Sequence, residues 1–338
     1  MHPEKSLVIL TVLAGVGQGL FVFLFGADVL NPTGALPSGL LAAGAAAAIA
    51  FTVFGTMASF FHLTHPERGW KAILQWRNSW LSREVVLLPA FQGLAALYGL
   101  AAYADMDYHL RYLLGAAAAI TALALYLASS MVYAKVRFIR EWANVYTPLN
   151  FTLIGLASGA VTAVAMFELA GFDARMTLTL IRVAFFLLAA GLVIKALSFA
   201  YNAGIYSPVS LQTALGVNSS SIQQMDFGAS YAHYNTKEYS FGAGQGNRIG
   251  MKLFILAALF IAPFFALSAD YMPLLGGESG FAALFASVAM IAGAMVERWL
   301  FFAEGNHTQN LYYGNFIAKG AVNPLLQPAK AGSPAPKR

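Results

Sequence analysis

Of the 338 residues, 59% are hydrophobic and 10% charged, against roughly 25% charged in soluble domains, so much of this surface must face lipid instead of water. The net charge of +5 does not point to nucleic acid, because membrane proteins collect Lys and Arg in cytoplasmic loops for topological reasons. The chain has no cysteine, which excludes disulfides, thiolate zinc sites and cysteine-ligated iron–sulfur clusters within it.

A hydrocarbon core about 30 Å thick takes roughly 20 apolar residues per helix. By that measure the sequence predicts eight spans, at 6–29, 39–63, 82–104, 110–134, 147–169, 178–200, 248–269 and 280–303. The first follows MHPEK without a small-residue cleavage site and a polar domain, and reads as a retained helix instead of a removed signal peptide. All eight are apolar around their circumference and lack the period-two alternation of membrane barrels. The fold class expected is therefore an all-α transmembrane bundle. Runs such as GLLAAGAAAAIA and GAAAAITALALYLASS supply small residues that let helices approach closely.

The connections divide the chain into a bundle over 1–303, interrupted by a polar loop over 201–247, and a tail over 304–338. A loop that long is functional or disordered in most compact proteins. The tail opens with AEGNHTQNLYYGNF, which has aromatics to dock with, and closes on AKAGSPAPKR, which is expected to be disordered. Eight spans put both termini and the even-numbered connections on one side. Of the 20 Lys and Arg, only Arg111, Arg175 and Arg182 fall near the other side. The positive-inside rule then places both termini in the cytoplasm.

Ionisable groups within membrane spans are costly, and each is a functional hypothesis. His62 closes the second span in FFHLTHP, Glu84 opens the third in SWLSREVVLL, and Arg248 opens the seventh in GNRIGMKL. All three belong to the same membrane face. Reducing a quinone takes two electrons and two protons, so its oxygens need proton-exchanging partners. An imidazole that titrates near neutral pH, a partly buried carboxyl and a guanidinium that meets developing negative charge would supply them. Structural readings stand beside these: a helix cap for His62, snorkelling for Arg248, and an interfacial charge for Glu84 next to Arg83. Trp70, Trp76 and Trp80 suit an interfacial belt, and Trp80 also suits the flank of a quinone ring. Glu297 and Arg298 read as a local pair with a packing role. Of the six histidines only His62 lies in a span, so a haem held by two facing histidines is not expected.

The run FGTMASFFHLTHPERGWKAILQWRNSWLSREVV resembles the membrane-anchor subunits of the DMSO reductase family. That family shares a helix ending in "ASxxHL" and a following helix opening "LSxE". Arg248 in NRIGMKLF matches an arginine that opens the family's seventh helix. The likeness covers most of the eight-span core; its specific part is 54–88, whereas 201–247 and the tail after about 314 depart from the pattern. The resemblance implies one subunit of a three-part molybdenum oxidoreductase. A large subunit would hold molybdopterin, a ferredoxin-like subunit the iron–sulfur clusters, and this chain would exchange electrons with ubiquinone or menaquinone without a haem of its own. It implies quinone-site roles for His62, Glu84 and Arg248; Trp80, by its ring, and Ser59, three residues before His62, are expected to join that site. With the basic loops on the site's face, the partners are expected in the cytoplasm, at a bacterial inner membrane. That is similar to the anchors of cytoplasm-facing sulfite dehydrogenase complexes, and the expected function is quinone reduction during sulfite oxidation. The alternatives are a quinol-oxidising anchor of a terminal reductase, a secondary transporter, or a purely structural tether. No internal repeat supports a transporter, and the ionisable groups gather at one face instead of the midplane.

Overall fold

The computed structural model describes residues 3–31, 36–61, 65–172, 174–205, 211–217, 245–271 and 279–307. Among the described residues, eight helices are long and apolar enough to cross a membrane. They are α1 (Lys5–Leu30), α2 (Ser38–Phe60), α3 (Trp80–Tyr103), α4 (Tyr108–Ala134), α5 (Tyr146–Leu169), α6 (Ala174–Ala203), α7 and α8 (Ser279–Glu304). α7 runs through Gln245–Leu256, Ala257–Ile261 and Ala262–Tyr271. The hydropathy ruler finds these helices to within a few residues, since each run of apolar side chains must satisfy its own backbone hydrogen bonds in lipid. Local signals set two of the starts. The Ser79 side chain accepts from Ser82 N at 3.4 Å to open α3, and Asp107 accepts from His109 N and Leu110 N to open α4.

α1 and α5 form the centre, and glycines on both, outside the small-residue runs of α2 and α4, let them meet closely. A Cβ on Gly159 would fall 2.2 Å from the carbonyl carbon of Gly19, so the two backbones touch. The Tyr126 hydroxyl of α4 donates to the Gly15 carbonyl at 2.6 Å and ties a third helix to this crossing. α2 and α3 pack on one flank of the centre, with α3 against α4; α6, α7 and α8 pack on the other.

The two ends of the bundle are closed differently. At the end where α1 finishes, Asp28 is buried and receives Arg111 Nη2 at 3.0 Å, Arg111 Nε at 3.1 Å and the Tyr98 hydroxyl at 2.8 Å. At the other end, Val8, Ile139, Trp142 and Phe302 form a second small core, and Trp142 Nε1 donates to the Phe301 carbonyl at 2.8 Å. This second end carries the basic connections. Between α2 and α3 it bears a 3-10 stretch, Pro66–Gln75, whose Trp70, Ile73 and Leu74 are exposed; such a segment suits the lipid interface.

α7 is not a regular helix. Ala257–Ile261 widens into a π turn, just ahead of Pro263, which has no N–H and whose ring would strike the carbonyl of Leu259. The widened turn is where the backbone absorbs that clash, and such bulges often sit at functional sites.

Candidate functional site

Glu84 lies one turn inside α3, half-buried, and its Oε1 accepts from the Ser129 hydroxyl of α4 at 2.7 Å. Pro89, also in α3, has no N–H to give the carbonyl of Val85, so that backbone acceptor loses its helical partner one turn into the span. Arg83 points away from Glu84. Its Nε donates to the Trp76 carbonyl at 3.1 Å and its Nη2 to that of Arg77 at 2.7 Å. The same guanidinium covers one face of the half-buried Trp80 ring at 4.3 Å. Arg83 therefore braces the loop and fixes Trp80, and takes no part in pairing with Glu84.

Ser59 is half-buried on α2 and returns its hydroxyl to the Thr56 carbonyl at 2.6 Å. Thr56 Oγ1 accepts from Gln92 Nε2 of α3 at 3.3 Å. That antiparallel register puts Ser59 level with the Pro89 turn, a step deeper than Glu84. Trp80 and Glu84 are thus one turn apart on α3, with Glu84 tied to α4, and Ser59 stands on the adjoining α2 more than a turn deeper than Glu84. His62 lies outside the described residues, as does most of 201–247; the described parts there are the end of α6, a short helix Leu211–Leu215 with the two residues after it, and the first three residues of α7. Arg248 stands at the same end of the bundle on a different flank. Its helix, α7, packs on α6 and α8, and one turn on Lys252 pairs with Glu304 of α8 at 2.8 Å. The structure places Glu84, Ser59 and Trp80 on adjoining helices of one flank and Arg248 on the other flank.

A buried charge cluster lies between these flanks, and sequence reasoning missed it. Lys195 of α6 bonds directly to Glu297 Oε1 of α8, and Arg298 Nη2 stands 3.7 Å from Glu297 Oε2. Their side chains are 6%, 1% and 4% exposed. The Arg298 guanidinium lies 3.5 Å from the centre of the Phe151 ring. Lys195 and Arg298, counted as basic residues near the positive face, are inside the bundle. The pair read as local, Glu297 with Arg298, is one part of a contact that spans two helices. The signal was present in the sequence, since GLVIKALSF and AMVERWLFF place charges well inside apolar runs.

Two small cavities adjoin the cluster, each with ≈ 20 Å³ of space for water. One is lined by Glu141, Asn150, Lys195, Asn202, Glu297 and Glu304 among others. The second is lined by Gln18, Tyr126, Ser129 and Ser158, and the two share Phe151 and Arg298. Ser129 is therefore both a wall of the second cavity and the donor to Glu84.

The eight apolar helices among the described residues define a multi-span membrane protein. The family model for the DMSO reductase anchor subunit (DmsC) matches residues 1–314, and the chain belongs to that family. It is similar to a subunit of the sulfite dehydrogenase of Allochromatium vinosum, 35% identical over 328 residues, which is 93% of this chain and 99% of the relative. The likeness, read in the sequence over most of the eight-span core and specific at 54–88, extends along nearly the whole chain. It runs through 201–247, which the motifs had set apart.

Proposed function

We propose that the chain anchors a molybdenum oxidoreductase and passes electrons from an iron–sulfur partner subunit to quinone, with the headgroup lodged at the Glu84 corner. The observation that carries this reading is a half-buried carboxyl near the end of α3, held by one hydroxyl of α4 and one helical turn from an indole that Arg83 covers. Phe54, Met57, Phe60 and Phe61 of the neighbouring α2 end are exposed and make an apolar approach for an isoprenoid tail. The residues fit a quinone by the chemistry of their donors: Glu84 offers an oxygen that can carry a proton, Trp80 a flat apolar wall, and Ser59 a further polar group on the adjoining helix; His62 would add an imidazole. When bound, the quinone supplies two-electron, two-proton acceptor chemistry. Glu84 holds and releases the proton, Ser129 orients it, and Pro89 keeps the helix open at that point.

Similarity to a sulfite dehydrogenase subunit, together with the charge bias of the loops, supports cytoplasmic partners: a ferredoxin-like iron–sulfur subunit and a molybdopterin subunit that oxidises sulfite. Both termini would then be cytoplasmic. The segment 201–247 and the proximal tail emerge at this same face and are the docking surface in this reading.

The test separates quinone-linked turnover from turnover with a soluble artificial acceptor in the intact complex. Losing a hydrogen bond to a charged group costs about 1.5–3 kcal/mol, so Glu84→Gln and His62→Ala should lower quinone-linked turnover roughly tenfold or more. Soluble-acceptor turnover should be unchanged. Arg248→Ala reports whether the site reaches across the bundle: a comparable loss places a second binding element there, and no loss confines the site to the α2–α3–α4 corner. If both activities fall together in Glu84→Gln, the residue holds the complex together and the quinone assignment fails.

A further inference from the structure

Nothing in electron transfer itself requires Lys195, Glu297 and Arg298 to be buried together. Burying charges in a membrane bundle is expensive, and apolar residues of similar volume would pack the same space at lower cost. A cluster present only for packing should also be fully paired. This one is not: Asn150 Oδ1, Asn202 Oδ1, Glu297 Oε2, Arg298 Nε and Nη1, and Gln18 Oε1 are buried without a hydrogen-bond partner. All six atoms belong to residues lining the two small cavities. Buried polar atoms of this kind are met by ordered water, and each cavity has ≈ 20 Å³ of space for water, above the roughly 10–15 Å³ that one molecule needs.

We propose that this cluster is a proton path, running from the basic face through the bundle to Glu84. It rests on the quinone reading and names the source of the protons that reading consumes. The outer end is formed by Glu141 and Glu304, both partly exposed. Glu141 is held by Asn306 Nδ2 at 2.6 Å, and Glu304 by Lys252 at 2.8 Å. Both line the first cavity, with Glu297 and Arg298 at its inner wall. The second cavity continues past Arg298 to Ser129, whose hydroxyl donates to Glu84 Oε1 at 2.7 Å.

Each step makes and breaks O–H bonds only. Glu84 gives its proton to a quinone oxygen, the Ser129 hydroxyl passes its own to the Glu84 carboxylate, and Ser129 recovers one from water in the cavity. Two electrons from the partner's iron–sulfur clusters and two protons from the basic face complete one reduction to quinol. Lys195 and Arg298 offset the charge of Glu297, so the path carries protons without a lasting buried anion.

The test uses the intact complex in lipid vesicles with a short-chain ubiquinone analogue. Ser129→Ala cuts the last link, while Asn150→Leu and Gln18→Leu remove water-holding groups at similar volume. Each should lower quinone-linked turnover about tenfold or more, as loss of a proton-transferring group does, and raise the solvent deuterium isotope effect on that turnover. Turnover with a soluble acceptor should stay at wild-type values in all three, affinity for the analogue should stay there in Asn150→Leu and Gln18→Leu, and Ser129→Thr, which keeps the hydroxyl, should restore the rate. Wild-type turnover and isotope effect in all three variants, with Glu84→Gln impaired, would overturn the path and leave the quinone site standing. Wild-type behaviour in Glu84→Gln as well would remove the quinone site itself. Loss of assembly or of soluble-acceptor turnover in all three would make the cluster structural, and the path would again be wrong.

Discussion

Asp28 is the most tightly held charge at the end of the bundle away from the candidate site, and its replacement gives a sharp test of what fastens that end. The carboxylate is 1% exposed and Arg111 12% exposed. Asp28 takes two guanidinium bonds at 3.0 and 3.1 Å and the Tyr98 hydroxyl at 2.8 Å, and its own carbonyl accepts from the Tyr112 hydroxyl at 3.2 Å. Asp28→Asn keeps the shape and leaves Arg111 buried without a counter-charge. Breaking a buried pair in this way costs about 3–5 kcal/mol, which is roughly two to four powers of ten in the unfolding constant. Removing both charges, as in Asp28→Asn with Arg111→Met, should recover most of that loss, because the double variant buries no lone charge. Reversible unfolding in mixed micelles measures all three proteins. A single variant within about 1 kcal/mol of wild type, or a double variant as unstable as the single, would refute the reasoning, since breaking a buried pair strands a charge and removing both does not. Quinone-linked turnover of whatever complex remains folded should be normal, as the pair lies at the opposite face.

Other outcomes follow from the same packing. Gly159→Ala should destabilise the α1–α5 crossing by about 1–3 kcal/mol through overpacking, whereas Gly26→Ala, with nothing within 4 Å of the added carbon, should be near neutral; monodispersity and midpoint of unfolding in detergent compare the two. Trp142→Phe keeps the ring and loses the donation to the Phe301 carbonyl, a change of about 0.5–1.5 kcal/mol read from the same unfolding curves. Because the chain has no cysteine, Gln75→Cys and Met106→Cys are single reporters on opposite faces. An impermeant thiol reagent should reach Cys at 106 in intact spheroplasts and at 75 only after lysis, and the reverse pattern would invert the proposed topology.

The bundle was legible because lipid imposes one rule on every span: about 20 apolar residues, internally hydrogen-bonded. The caps at Ser79 and Asp107 are likewise local signals. What the sequence alone did not show is which spans meet. Lys195 and Glu297 are 102 positions apart, and Glu84 and Ser129 are 45 apart. A single sequence carries no trace of such pairings, so Lys195 read as a topological charge and Glu297–Arg298 as neighbours on one helix. Arg248 shows the converse limit. Residues assigned to one membrane face share a height in the bilayer, but not a position around the bundle, and packing sets α7 apart from α3.

Photolabelling with a quinone analogue carrying a reactive group on its ring tests the central claim most directly. The account predicts label between residues 56 and 92, on the end of α2 and the start of α3, suppressed by excess unmodified quinone and weakened in Glu84→Gln. Competable label confined to α7, or no competable label anywhere in this chain, would contradict it.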